Sequence, residues 1–132
     1  MKHLLTALML LLTFPQLVNA KEPEWAAVNK FGSSTTYVDL TSIKRNGSLV
    51  LARVRYVLIP PGTDRRNGKS VKEMLMAEEY ETDTILFRIH EIQFVYTDGA
   101  ASDSLSTEPA WKPATGGNFK TLEFLRRSNG KN

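Results

Sequence analysis

The sequence predicts an α+β fold in which hairpin-linked strands fill most of the chain and one short helix closes it. Three observations carry that reading. Asn46-Gly47 separates two apolar-rich runs, and Asn-Gly in that setting is the strongest short-range hairpin signal. Val50, Ala52, Val54, Tyr56 and Leu58 recur at every second position, with Arg53 and Arg55 between them. That is the period of a strand with one buried and one wet face. Near the C-terminus, Phe119, Leu122 and Leu125 fall at helical spacing.

The elements follow in order. Residues 1 to 20 stand apart from the fold. They begin with basic Lys2 and His3, continue as an apolar run from Leu4 to Phe14, break at Pro15 and end in Val18-Asn19-Ala20. Small residues at the last and third-last positions suit signal peptidase. The run is shorter than the roughly 20 residues a membrane span needs. The expectation is a signal peptide over residues 1–20, and one domain with one core over residues 21–132.

Residues 24–31 and 35–39 read as the first two strands, broken by Gly32-Ser33-Ser34. Asp39 then starts an Asx turn or a single helical turn, so that Ile43 can drop into the core. A long strand follows over 49–59. Residues 60–69, "PPGTDRRNGK", read as a loop. Residues 70–81, "SVKEMLMAEEYE", hold good helix formers. Val71, Tyr80 and the neighbouring strands argue for strand instead. In residues 84–97, Ile85, Phe87 and Ile89 alternate, and then Ile92, Phe94 and Tyr96 do. The phase slips by one near His90-Glu91, which predicts a β-bulge. A loop with one short edge strand near Ser102–Ser106 leads to the helix. Asn118 is the expected N-cap, and Arg126 and Arg127 suit the last turn, with Gly130 as the stop.

The chemistry available is limited. There are no cysteines, which removes thiol nucleophiles, zinc-thiolate sites and iron–sulfur ligation, and leaves nothing to acylate as a lipoprotein. The 17 basic and 14 acidic residues give +3, and without Lys2 the balance is +2. That is not the charge of a nucleic-acid binder. After the leader, His90 is the one histidine, in the middle of the longest apolar strand. A serine or threonine nucleophile would lack a partner base. A calcium loop needs carboxylates at alternate positions before a glycine, which "DLTSIKRNG" does not supply. Asp39 therefore reads as structural, and no catalytic residue, metal or cofactor is expected.

Two charged clusters remain. Arg65, Arg66 and Lys69, with Lys72 nearby, are the candidate ligand-binding residues for a polyanion or a matrix protein. The alternative for them is a solvated loop tip. Glu78, Glu79, Glu81 and Asp83 are expected to face Arg53 and Arg55 across strands.

From Trp25 to about Leu125 the chain resembles the surface-adhesin protein E family of Gram-negative envelope proteins. The landmarks are Trp25, "YVDLTSIKRNG", "GKSVKEMLMAEEYE" leading into "LFRI", the "VYTDG" turn and "WKP" before the helix. The resemblance implies an antiparallel sheet of about five or six strands with the short C-terminal helix packed on it. It also implies a cysteine pair that is missing here: Thr82 stands at the first position, and Leu125 to Ser128 cover the second. A bridge over about 45 residues would contribute roughly 3–4 kcal/mol by chain entropy.

The function read from the sequence is an exported binding or structural protein of the cell envelope, in the periplasm or on the outer surface. It would act as an adhesin-like module for a host or matrix protein or a polyanion, as the family's studied members do for host matrix proteins. An inhibitor-like module that blocks an exogenous hydrolase is the alternative, and a small exported enzyme a third class.

Overall fold

Trp25 to Tyr96 weave back and forth through one antiparallel sheet. The computed structural model describes residues 22–107 and 110–128. The expected leader and the Gly130 stop lie outside them. The strands are β1 (Trp25–Phe31), β2 (Ser34–Asp39), β3 (Lys44–Asn46), β4 (Leu49–Thr63), β5 (Ser70–Glu81), β6 (Leu86–Tyr96), β7 (Leu105–Ser106) and β8 (Lys112–Pro113). Helix α1 spans Gly116–Arg127. The main path runs β1-β2-β4-β5-β6-β7, while β3 pairs with β4 and β8 with β6. This is the α+β arrangement expected, with six strands in the path and two short additions.

The alternation in β4 sets the two faces. Val50, Ala52 and Val54 are buried on the helix side, joined by Val38 of β2 and Tyr80 of β5. Leu122 and Leu125 of α1 reach them and are fully buried. Arg53 and Arg55 point to the other face, which no element covers among the described residues. β5 is a strand throughout, because its pairing with β4 and β6 overrides its helix-forming composition. On β6, Ala77 opposes Glu91 and Glu78 opposes Ile89, so His90 is the extra residue of a bulge. The phase slip in the sequence marks that position.

Three expectations are corrected. Residues 60–63 belong to β4, since Gly62 and Thr63 pair with Val71 and Ser70 beyond an irregularity. The Pro-Pro-Gly run bends the strand without ending it, and the loop shrinks to 64–69. Helix α1 begins at Gly116 with Thr115 at the N-cap position. Asn118 turns its amide to the Tyr80 hydroxyl at 3.2 Å instead of capping. Finally, Phe119 is 38 % exposed, and Thr121 takes the inner position expected of it.

Candidate functional site

The tip between β4 and β5 is built on a buried carboxylate. Asp64 is only 3 % exposed. Its oxygens accept from the Arg66 backbone N–H at 3.0 Å, Arg66 Nε at 3.1 Å and Arg66 Nη2 at 2.9 Å. The Tyr96 hydroxyl donates to it as well, at 2.7 Å. The hydrogen bonds from Arg66, then that from Tyr96, outweigh desolvation and hold the Asp64 carboxyl well below the usual carboxylate range. The same pairing raises Arg66. Around this anchor the backbone closes on itself. Asp64 N–H donates to the Lys69 carbonyl at 2.9 Å, and Gly68 N–H donates to the Asp64 carbonyl at 2.7 Å. Gly68 turns the chain at a φ of +72°, where a side chain would be strained.

The three candidate residues therefore divide. Arg66 belongs to the tip's own architecture, with its guanidinium 5.3 Å from the Phe94 ring centre. Lys69 carries its ammonium 5.0 Å from the Tyr96 ring centre. Arg65 is exposed and has no ion pair among the described residues. Asp64 was not read from the sequence as an anchor. The signal that could have found it is Asp-x-Arg, the spacing at which an aspartate caps its own turn.

Asp39 is a structural residue in this geometry. It is 3 % exposed and sits at the N-cap of the 3₁₀ turn Leu40–Ser42. One oxygen accepts from Thr41 N–H at 3.0 Å, the Thr41 hydroxyl at 2.7 Å and Glu24 N–H at 3.0 Å. Ser42 continues the link by donating to the Asp39 carbonyl at 2.7 Å and accepting from Arg53 N–H at 2.8 Å. Ile43 then packs against the core.

The acidic set does not face Arg53 and Arg55. Arg55 pairs with Glu73 and lies over the Trp25 and Tyr37 rings at 5.7 and 5.6 Å. Arg53 opposes Ala77. Glu79 accepts from Arg88 Nε at 2.7 Å and contacts His90 Nε2 at 3.0 Å. Glu78 is fully buried on the helix side, where the Tyr56 and Tyr80 hydroxyls reach its oxygens at 2.5 and 2.6 Å. Strand alternation sends these two neighbours to opposite faces, so the run could never act as one cluster. Among the described residues no three His, Asp or Glu side chains come together as a metal set. No described helix is long and apolar enough to cross a membrane.

At the place where the resemblance puts a bridge, the structure has polar ties. Arg126 Nη2 donates to the Thr82 carbonyl at 2.6 Å. The Thr82 hydroxyl donates to the Ser48 carbonyl at 3.0 Å. Arg45 Nη2 reaches the Ser128 hydroxyl at 2.6 Å.

Sheet, helix and tip together define an α+β protein that carries exposed charge on a preformed loop. No family model and no curated protein matches the sequence. Among solved structures, the chain is similar to the crystal structure of protein E from non-typeable Haemophilus influenzae. Identity is 8%, the TM-score is 0.55, and the match covers 84% of this chain and 82% of that one. The chain thus has a protein E-like fold, as its sequence landmarks imply.

Proposed function

We propose that this is an exported envelope binding protein that offers the 64–69 tip to an anionic partner, either a protein or a polyanion of the envelope or matrix. The observation that carries the reading is the buried Asp64. It fixes the tip through Arg66 and Tyr96 before any ligand arrives, so that little ordering entropy is lost on binding. Arg65 and Lys69 then meet the ligand, and Arg66 holds the loop that presents them. Export itself rests on residues 1 to 20. The protein E-like fold is compatible with such a module and names no partner.

The test is retention on heparin and on immobilised lipopolysaccharide over a salt series. Exposed charge attraction is screened within about 8–10 Å at ordinary salt, so retention should fall steeply as salt rises. Arg65→Ser with Lys69→Ser should remove most of that dependence while thermal unfolding stays unchanged. Arg66→Ser should disturb the tip and lower stability as well. If wild type and the double variant elute alike at every salt, the tip is only a solvated connector.

A further inference from the structure

The turn between β1 and β2, the 64–69 tip and the turn after Tyr96 all lie at one end of the sheet. The two most exposed large apolar side chains among the described residues are at that end. Phe31 is 85 % exposed and Ile59 54 %, whereas the next, Phe119, is 38 %. The two stand in one row across three strands. Phe31 pairs with Ser34 across the turn, and the Ser34 hydroxyl accepts from Ile59 N–H at 3.1 Å on its other side. Ile59 lies in the stretch between Val57 and Gly62 that leaves the ladder with β5, so it sits on a bulge. Neither side chain belongs to the core cluster.

Cations surround this row. Lys30 precedes Phe31, the tip carries Arg65 and Lys69, and Lys72 lies near the start of β5. All four are exposed, and none has an ion pair among the described residues. The acids nearby are engaged: Asp64 with Arg66, and Asp98 with the Ala100 N–H at 2.9 Å. A soluble sugar polyanion would satisfy the cations and leave Phe31 and Ile59 in water. A lipid surface offers both parts, with phosphates at headgroup depth and hydrocarbon beneath. Two separate exposed side chains with a serine between them suit fluid hydrocarbon better than a shaped protein pocket.

We propose that this end of the sheet docks on an anionic lipid surface. Phe31 and Ile59 enter the acyl boundary, while Lys30, Arg65, Lys69 and Lys72 meet the lipid phosphates. This docking rests on the tip reading above, with a lipid leaflet as the anionic partner.

The probes are vesicles of phosphatidylcholine alone or mixed with phosphatidylglycerol, used in co-sedimentation of the exported protein beside heparin retention, both over a salt series. Wild type should sediment with the anionic vesicles at low salt and not with the neutral ones. Phe31→Ser with Ile59→Ser should weaken vesicle binding about tenfold. The same variant should keep wild-type heparin retention and thermal unfolding, since both side chains are exposed. Phe31→Trp reports by gain of signal: lipids brominated along the acyl chain should quench its emission, beyond any quenching of Trp25 and Trp111 in wild type. Retention on heparin without binding to anionic vesicles would overturn this inference and leave the tip reading standing. Vesicle binding unchanged in the double variant, with no added quenching at position 31, would reduce the contact to surface charge and overturn it as well. Retention on neither would overturn the tip reading too.

Discussion

Glu78 and Glu79 are neighbours in β5 and sit in opposite media. Glu78 is fully buried under α1, with two tyrosine hydroxyls on its oxygens and, among the described residues, no ion-pair partner. Burial raises its carboxyl above the usual glutamate range, and the two hydroxyls offset only part of that. Glu79 lies on the open face. Desolvation pulls it upward too, but hydrogen bonds from His90 and Arg88 outweigh this and hold it below the usual range. The same hydroxyl–carboxyl contact acts on the tyrosines: burial first, and then the charge of Glu78, pushes Tyr56 and Tyr80 far above an ordinary phenol. The difference teaches that charge in this chain cannot be read by the run. On a strand, a one-residue step changes the solvent.

The largest contrast between the two faces should appear in their leucines. Leu125 is fully buried between α1 and the sheet. Leu125→Ala should cost about 2–5 kcal/mol, and Leu75→Ala on the open face about 1 kcal/mol or less. Urea unfolding of both variants measures this, and similar losses would mean the open face is covered after all. A smaller effect is expected at the sheet's edge. Asp39→Ala removes the acceptor of three hydrogen bonds and should lower stability by about 0.5–2 kcal/mol. Heparin retention of that variant should stay as in wild type, since Asp39 takes no part in the tip. The smallest effect belongs to the helix end. Arg126→Ala breaks an exposed tie to the Thr82 carbonyl and should cost about 0.5–1.5 kcal/mol. Hydrogen exchange should show it as faster opening of the last turn of α1 alone.

Most of the fold is legible where local pattern and tertiary setting agree. Val50 to Val54 alternate in the sequence and in the sheet. The slip at His90 is visible because a bulge shifts every later side chain to the other phase. The turn at Asp39 is legible because it depends on residues two positions away. What stays hidden depends on distant partners. Asn118 has the chemistry of a cap, but Tyr80, far away in sequence, takes its amide. Pro60-Pro61-Gly62 reads as a loop because nothing local reveals that Val71 and Ser70 continue the ladder. The tip illustrates both cases. Its three cations can be picked out of the sequence, but the buried Asp64 that separates Arg66 from Arg65 and Lys69 needs Tyr96 to complete it.

One sheet keeps two chemistries apart by face, and the pH dependence of stability follows the sign of each carboxyl's shift. A carboxyl whose folded pKa is raised, like Glu78, does not disturb the fold below the ordinary range near 4.3. It then takes stability away as pH rises toward its folded midpoint. A carboxyl held down, like Glu79, adds stability above that range and loses it as pH falls through its folded midpoint. Site-resolved carbon-13 NMR titration of the glutamate carboxyls tests the claim directly, with Glu78→Gln and Glu79→Gln to assign the two signals. Glu78 should titrate above the ordinary glutamate midpoint and Glu79 below it. Coincident midpoints, or the opposite order, would contradict the account.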